Sequence, residues 1–356
     1  MTEKKTLRSG YTTGACAAAA ALGAARLLEE QRPVDTVELE LPAGETARFR
    51  LQECSFSSDQ ASCFVVKDAG DDPDVTDGVE VHAEVRFDSS PAEGRENRIR
   101  IDGGSGVGVV TKPGLPVAIG EPAINPVPRQ MIERAVRSVL GDVDVAVIIS
   151  IPDGLERSKR TLNERLGIIG GLSILGTTGI VRPISHKAWT DTIDVAIDVA
   201  LASGSQKVVL VTGRTSETVA RAYLELPEEA FVMMGDHVAY ALEACHRKGV
   251  PEILVAAQFA KLLKIACGHP QTHVHSSALD LSQLAAWSRE AGLDASVAEK
   301  IECANTAREV LTTLPEAALL AEEVAQEADA HLERWAGGLP VEIMLIDYNG
   351  TVAGVY

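Results

Sequence analysis

The pattern of hydrophobic and polar positions changes part-way along the chain. An Ala-rich run of strong helix formers occupies residues 15–28, and Thr12 or Thr13 before it can cap a helix. Up to about residue 101, short segments such as 37–41 and 79–87 then alternate apolar and polar residues between turns. This part of the chain therefore predicts a mostly antiparallel sheet with one helix packed against it.

From residue 143 onwards, short apolar runs alternate with helical patterns. The apolar runs lie at 143–151, 207–211, 230–234 and 252–256. Such alternation predicts a parallel sheet with crossover helices. Residues 280–336 have a mainly helical composition, and Tyr348-Asn349-Gly350 between two apolar runs predicts a final hairpin with a type I′ turn. With a boundary near residue 140, we predict an α+β domain over 1–140 and an α/β domain over 141–356.

Charge and cysteine content argue against several classes of function. The formal net charge of −18 disfavours nucleic-acid binding and a polybasic membrane surface, because both need basic faces. No apolar signal-peptide core follows the first residues, and no apolar run is long enough to span a bilayer. The six cysteines form no CxxC pair, as expected for reduced thiols. We therefore expect a cytoplasmic protein with no nucleic-acid or membrane partner.

Two glycine-containing segments in the first part of the chain are candidates to bind an anion. Thr12, Thr13 and Gly14 open the Ala-rich helix, whose first N–H groups carry a partial positive charge. Four glycines in residues 103–108 let the backbone approach a ligand closely, and Lys112 follows them. A capped helix and a tight strand turn are the structural alternatives. The candidates for binding an anionic substrate are Thr12, Thr13, Gly14, Gly104, Ser105, Gly106 and Lys112.

A basic segment follows the apolar run at 143–151. Residues 151–190 contain six basic side chains against three acidic ones, a local excess of +3 in an acidic chain. Because open α/β sheets bind ligands at the carboxyl ends of strands, we expect Arg157, Lys159 and Arg160 to bind substrate carboxylates. A solvated helix face is the alternative. The aspartate-rich residues 68–77 are more typical of a solvated turn than of a cation site.

Glycines and hydroxyl residues in the second part of the chain indicate a cofactor site. Gly213 and Gly235 lie at predicted strand-to-helix junctions, where an acidic residue such as Asp236 can accept hydrogen bonds from a ribose. The predicted cofactor residues are Gly176, Thr177, Thr178, Gly179, Gly213, Arg214, Gly235 and Asp236. Residues 267–275 hold Cys267 and three histidines without a common zinc spacing. They predict a pocket lining rather than a bound metal, with His269 and His273 binding substrate.

Several segments together match the motifs of one family. They are GYTTG at 10–14, KDAGDDPDVT at 67–76, GVGVVT at 106–111, PGL at 113–115, GEPAINPVP at 120–128, NERLGI at 163–168, GTTGIV at 176–181, Gly235-Asp236, and residues 268–273. With these segments in this order, the chain resembles the cobalt-precorrin-5B C(1)-methyltransferases, the CbiD family. The acidic, helical tail is not distinctive.

The resemblance implies methyl transfer from S-adenosyl-L-methionine to C-1 of cobalt-precorrin-5B, a cobalt-bearing tetrapyrrole, giving cobalt-precorrin-6A in anaerobic cobalamin biosynthesis. It also implies a Rossmann-like second domain. It assigns no catalytic residue, and it leaves open a homo-oligomer or transient contact with neighbouring pathway enzymes. From the residues themselves two alternatives remain. One is a small-molecule kinase that uses the 103–108 loop, and the other is a metal- or corrinoid-binding protein that uses Cys267 and the nearby histidines.

Overall fold

The computed structural model describes residues 7–88, 99–183 and 186–356. The first six residues, on which the expectation of no targeting segment partly depends, lie outside these ranges. The chain divides into two compact units, Met1–Ser185 and His186–Tyr356. The boundary therefore lies after Ser185 and not near residue 140. The reason is the strand Val145–Ser150, which pairs within the sheet of the first unit instead of starting the second.

The first unit contains a five-stranded sheet and a central helix. Its elements are β1 (Gly10–Tyr11), α1 (Thr13–Glu30), β2 (Thr36–Glu40), β3 (Thr46–Arg50), β4 (Gln52–Phe56), β5 (Gln60–Val66), β6 (Glu80–Phe87), β7 (Ile99–Gly103), β8 (Val109–Val110), α2 (Pro126–Leu140), β9 (Val145–Ser150), α3 (Gly154–Ser158), β10 (Ile168–Ile169) and β11 (Ile180–Val181). The strand order is β4-β5-β6-β9-β7, in which the β7–β9 pair is parallel and the other pairs are antiparallel. The predicted mostly antiparallel sheet is confirmed.

Helix α1 lies at the centre of this unit's core. The Thr12 side chain caps it by accepting a hydrogen bond from the Ala15 N–H at 3.2 Å. Residues 15–21 are completely buried, because α1 packs against β5, β6 and α2. A helix that is apolar on all sides is expected in such a position, and the predicted Ala-rich helix is confirmed. None of the helices in the described ranges is long and apolar enough to cross a membrane.

The second unit is a mainly parallel sheet with helices. Its elements are α4 (His186–Ala202), β12 (Lys207–Val211), α5 (Arg214–Tyr223), a 3-10 turn (Glu228–Ala230), β13 (Phe231–Met233), α6 (Val238–Lys248), β14 (Glu252–Gln258), α7 (Phe259–Ala266), α8 (Leu281–Glu290), α9 (Ala295–Cys303), α10 (Ala307–Thr313), α11 (Ala317–Trp335), β15 (Val341–Ile346) and β16 (Val352–Val355). The strand order is β13-β12-β14-β15-β16, and β16 is the antiparallel strand. Counted within the unit this order is 2-1-3-4-5, the flavodoxin-like order, whereas the Rossmann order is 3-2-1-4-5-6. The α/β prediction is confirmed, and its Rossmann-like detail is not.

Helices cover both faces of this sheet. Along β12, Val208 and Leu210 pack in a cluster with α4 and α6, whereas Val209 and Val211 pack in another cluster with Ala220 of α5. The helix after β12 therefore lies on one face, and α7 after β14 lies on the other. In a doubly wound sheet, this arrangement places the ligand crevice at the carboxyl ends of β12 and β14.

Strands β15 and β16 form the predicted terminal hairpin, but the turn differs. A type I′ turn needs positive φ at both central residues, and of residues 347–351 only Gly350 has it. Instead, the Asp347 carboxylate accepts hydrogen bonds from the N–H groups of Asn349 at 2.9 Å and Thr351 at 2.7 Å. The Asp347 N–H also donates to the Thr351 carbonyl at 2.9 Å, so the short acidic side chain and the backbone close the turn together.

Candidate functional site

The start of α1 is buried, and its polar groups have partners. The Thr12 N–H donates to the Gly179 carbonyl at 3.1 Å, and the Gly14 N–H donates to the Leu175 carbonyl at 3.0 Å. The Thr13 hydroxyl accepts the Leu175 N–H at 2.9 Å. The structure therefore brings residues 12–14 together with residues 176–179, both in the first unit. Capping and packing account for these contacts, and the ligand roles of Thr12, Thr13, Gly14, Gly176, Thr177, Thr178 and Gly179 stay predictions.

In the 103–108 segment, the backbone at Gly106 packs directly against the backbone of two other segments. A Cβ at Gly106 would lie 1.9 Å from the carbonyl oxygen of Ile151, and φ at this glycine is +71°. Cβ atoms at Gly154 or Gly171 would lie 2.1 Å from the Gly106 carbonyl oxygen. These glycines let three backbone segments pack together. This structural role is of the kind that we set against ligand binding in the sequence analysis. Substrate binding by Gly104, Ser105 and Gly106 stays a prediction.

Strands β8 and β10 form a short ribbon with an exposed apolar surface. Val109 and Ile169 are register partners and are 41% and 46% exposed. Lys112 follows β8, and its ammonium donates to the Arg165 carbonyl at 3.1 Å. Exposed apolar side chains beside basic residues suit a flat ligand with carboxylates at its edge.

The three basic residues at 157–160 lie in different environments. The Arg157 guanidinium donates to the carbonyl groups of Val75 at 2.7 Å and Asp77 at 2.8 Å. It therefore connects α3 to the aspartate-rich loop. Lys159 and Arg160 are exposed on the surface of the first unit. The solvent-exposed pair remains a candidate for substrate carboxylates, whereas Arg157 has a structural contact that the sequence did not predict.

Lysine and arginine side chains form ion pairs with the aspartate-rich loop at residues 68–77. The buried Lys67 ammonium lies 2.7 Å from the Asp74 carboxylate, and Arg8 makes two hydrogen bonds to Asp68, at 2.5 and 2.8 Å. The Arg8 hydrogen bond lowers the pKa of Asp68. Burial raises the pKa of Asp74, but the hydrogen bonds from Lys67 and Thr76 outweigh it, and the pKa is lowered. Two carboxylates of the loop are thus paired with protein cations, which the prediction of a solvated turn did not include.

Three polar residues of the second unit, Asp236, Lys261 and Thr272, meet at the carboxyl edge of its parallel strands. Gly213 follows β12 and precedes the first turn of α5, where no described side chain forms a cap. Gly235 and Asp236 follow β13. Lys261 of α7 forms an ion pair with Oδ1 of Asp236, and the Thr272 hydroxyl donates to the same oxygen at 2.8 Å. Segments that follow β13 and β14 are thus joined at this edge.

The Asp236 side chain is an ionised acceptor. Burial raises its pKa, but the hydrogen bonds from Lys261 and Thr272 outweigh this effect, and its pKa is lowered. Both contacts are made to Oδ1, so Oδ2 can accept a further hydrogen bond. A carboxylate next to glycine at a strand end is the arrangement used for ribose recognition in doubly wound folds.

Beside Asp236, aromatic and imidazole rings form a surface that the sequence analysis missed. The Trp189 indole N–H donates to the Met234 carbonyl at 3.2 Å, and the ring stacks with His237 at a centroid distance of 6.4 Å. The His186 ring lies 5.5 Å from that of His237. The Gln271 amide nitrogen lies 3.4 Å from Nδ1 of both histidines. This group of rings is half-exposed at the same edge as the carboxylate.

The two histidines predicted to bind substrate are placed differently. The His269 N–H donates to the Lys264 carbonyl at 3.1 Å, and this residue is half-buried. His273 is exposed, and its ring centroid lies 5.2 Å from that of His275. It is near enough to Asp236 to lower the pKa of that carboxyl. Their binding roles stay predictions. In the described ranges, no three His, Cys, Asp or Glu side chains converge as metal ligands.

Comparison with known proteins decides the family. The CbiD profile matches residues 1–183, and the profile of the CbiD C-terminal domain matches residues 271–356. The chain belongs to the CbiD family. A relative from Geobacter metallireducens, named cobalt-precorrin-5B C(1)-methyltransferase, is 56% identical over 98% of both chains. A Geobacter sulfurreducens relative of the same name is 55% identical over 97% of this chain and 98% of its own.

A solved CbiD structure is also similar in sequence. It is the crystal structure of a cobalamin biosynthesis protein (cbiD) from Archaeoglobus fulgidus. The two are 30% identical, the match covers 81% of this chain and 85% of the other, and the TM-score is 0.42.

The CbiD residues that the sequence analysis missed are Trp189, His237, Lys261 and Thr272. They fall between residues 183 and 273, and the first three lie outside both matched profiles. The sequence could have indicated Trp189 as a candidate binding residue, because it is one of only three tryptophans in the chain. Lys261 carried no such signal, since only the sheet topology brings it to Asp236.

We expect this CbiD chain to lose stability in the second unit as the pH falls below about 6.5. Burial and, after it, His186 and His273 lower the pKa of His237, while Asp236 opposes the shift. The unfolded state therefore takes up a proton at higher pH than the folded state. Stability is present above the unfolded pKa and is lost as pH falls towards the folded one.

Urea unfolding at about pH 7.5 and about pH 5.5 measures this effect. The difference between the two free energies of unfolding should be smaller in His237→Gln than in the native chain. His275→Gln, in an exposed position, is the matched control and should keep the native difference. An unchanged pH dependence in His237→Gln would contradict the expectation.

Proposed function

We propose that this chain is an S-adenosyl-L-methionine-dependent methyltransferase that methylates C-1 of cobalt-precorrin-5B to give cobalt-precorrin-6A in anaerobic cobalamin biosynthesis. The observation that carries the proposal is the likeness, at 56% and 55% identity over almost the whole chain, to relatives named for this methylation. The kinase and metal-carrier alternatives receive no comparable support.

The carboxyl edge of the second unit fits the proposed methyl donor. When bound, S-adenosyl-L-methionine supplies an electrophilic methyl group on a sulfonium. Oδ2 of Asp236 would accept a hydrogen bond from the ribose. The first N–H groups of α5, with Gly213 and Arg214, would bind the cofactor carboxylate through the positive end of the helix dipole. Donors and an acceptor of the required kinds are therefore present at this edge.

The first unit offers groups that suit the tetrapyrrole substrate. The exposed Val109–Ile169 pair would contact an apolar face of the macrocycle. Lys112, Lys159 and Arg160 would bind its carboxylates. Methyl transfer to carbon is an in-line displacement that depends mainly on alignment and on exclusion of water, and it requires no nucleophilic side chain. We therefore assign binding and orientation, rather than covalent catalysis, to these residues.

Isotope transfer tests this function. The purified chain is incubated with cobalt-precorrin-5B and methyl-¹³C S-adenosyl-L-methionine, and the product is examined by mass spectrometry and ¹³C NMR. We expect one labelled methyl group, located at C-1. Equilibrium binding of S-adenosylhomocysteine, of ATP with magnesium and of Co²⁺ alone is measured in parallel. Binding of ATP–magnesium without S-adenosylhomocysteine would favour the kinase, and tight binding of Co²⁺ alone would favour the carrier.

We expect Asp236→Asn to weaken S-adenosylhomocysteine binding by about 1–3 kcal/mol, because the amide replaces a charged acceptor of the ribose hydroxyl. Isothermal titration calorimetry measures the loss. Asp198→Asn is the matched control, since Asp198 pairs with Lys248 at 2.6 Å in the same unit but belongs to the last turns of α4, ahead of the amino end of β12. Equal affinity of Asp236→Asn and the native chain would remove Asp236 from the cofactor site.

A further inference from the structure

We infer that the exposed face of the Trp189 indole is the surface on which the adenine ring of the methyl donor stacks. The inference rests on the proposed function, since it assigns a contact to the cofactor of that function. No sequence motif pointed to this residue. Its orientation, its exposure and its position next to Asp236 carry the assignment.

The Trp189 ring is held in place although it is half-exposed. Its N–H donates to the Met234 carbonyl at 3.2 Å, and a Cβ on Gly235 would lie 3.1 Å from the indole. The ring therefore lies directly against the backbone after β13, yet the residue as a whole is 46% exposed. By contrast, Trp287 is 6% exposed in the core of the same unit. A large apolar ring fixed at the surface is preorganised for stacking and loses little entropy when a ligand binds.

The same backbone segment positions the indole and the ribose acceptor. Residues 234 and 235 contact Trp189, and residue 236 is the carboxylate with a free acceptor position on Oδ2. In the cofactor, adenine is bonded directly to the ribose. A ribose bound by Asp236 therefore brings the purine within reach of the indole, and one rigid turn sets both contacts.

Charge favours adenine over the tetrapyrrole as the occupant of this surface. The ring next to Trp189 is His237, whose lowered pKa keeps it neutral near pH 7. The adjacent Asp236 carboxylate and the Lys261 ammonium offset each other's charge, which suits a neutral purine better than a polycarboxylate. The apolar and basic groups that suit a polycarboxylate, including Val109 and Lys112, belong to the first unit.

Calorimetric titration with S-adenosylhomocysteine tests the inference. Trp189→Ala should bind about tenfold more weakly, as expected for loss of one base–aromatic stack. Trp189→Phe keeps an aromatic face and should stay within about threefold of the native affinity. Trp335→Ala is the matched control and should bind normally. Trp335 also lies beside a histidine, at 5.8 Å from His331, but it ends α11 ahead of the amino end of β15.

Tryptophan fluorescence gives a second measurement that does not depend on the alanine variant being folded. S-adenosylhomocysteine should quench the native emission, and Trp189→Phe should lose most of that quenching. Quenching that persists in Trp189→Phe would overturn the inference. So would native affinity in a folded Trp189→Ala.

Two further outcomes separate this inference from the proposed function. If the native chain does not bind S-adenosylhomocysteine, the proposed function fails and the inference fails with it. If the native chain binds and Trp189→Ala binds equally well, only the inference is overturned. Cobyrinic acid, a stable cobalt corrinoid with free carboxylates, serves as the substrate probe. A variant that weakens cobyrinic acid but not S-adenosylhomocysteine would assign Trp189 to the macrocycle instead.

Discussion

Gly106→Ala is expected to destabilise the first unit by more than about 4 kcal/mol, enough to unfold a marginally stable domain. The added Cβ would lie 1.9 Å from the Ile151 carbonyl oxygen, and that atom belongs to the backbone, so no side-chain rotation relieves the clash. The left-handed φ of +71° adds strain for any other residue. Gly154 and Gly171 pack against the same carbonyl group, so a shift of residue 106 disturbs both.

Hydrogen–deuterium exchange measures this effect unit by unit. In Gly106→Ala, amides of β6 and β9 should lose protection, while amides of β12 and β14 in the second unit keep theirs. Gly78→Ala is the matched control, because φ is +73° there but nothing lies within 4 Å of the added Cβ. The control should cost about 1–2 kcal/mol, from strain alone. An equal loss of stability in both variants would show that the backbone around residue 106 can move to accommodate the added Cβ. Close packing would then not explain why residue 106 is a glycine.

Lys67→Met is expected to cost about 3–5 kcal/mol, because it removes one partner of a buried ion pair and leaves the other uncompensated. The Lys67 side chain is 1% exposed, and its ammonium lies 2.7 Å from Asp74. The pKa of Asp74 is lowered, so its contribution to stability is present above the unfolded pKa of about 3.9 and is lost as pH falls through the folded pKa. Lys67→Met should therefore also flatten the acid dependence of stability.

A double-mutant cycle isolates the pair. Chemical unfolding of Lys67→Met, Asp74→Asn and the double variant should give a double loss well below the sum of the single losses. The control is Lys159→Met, which breaks a pair of similar length, 2.6 Å to Glu156, on the exposed surface. Its effect on stability should be much smaller than that of Lys67→Met, because solvent screens an exposed pair. A fully additive cycle would show that Lys67 stabilises the unit by packing rather than by its charge.

Much of the fold followed from local patterns. The Ala-rich run became α1, the β/α alternation after residue 200 became the parallel sheet, and the last apolar runs became the terminal hairpin. The 143–151 run was misplaced, because an apolar strand carries no mark of the sheet it joins. Its partners are β6, more than fifty residues earlier, and β7. The predicted type I′ turn was wrong because only Gly350 has positive φ in residues 347–351, where the Asp347 carboxylate accepts two backbone N–H groups.

For the candidate site, the sequence by itself determined which residue types stand at strand ends, including Gly213, Gly235 and Asp236, and it carried the motifs of the family. Only the tertiary structure decided what those residues contact. Gly106 packs against backbone, and Arg157 contacts the aspartate-rich loop. Lys261 and Trp189 both contact the segment that follows β13. The physical reason is that local patterns report on neighbours a few residues apart. A binding edge in a parallel sheet is assembled from strand ends that crossover helices separate along the chain.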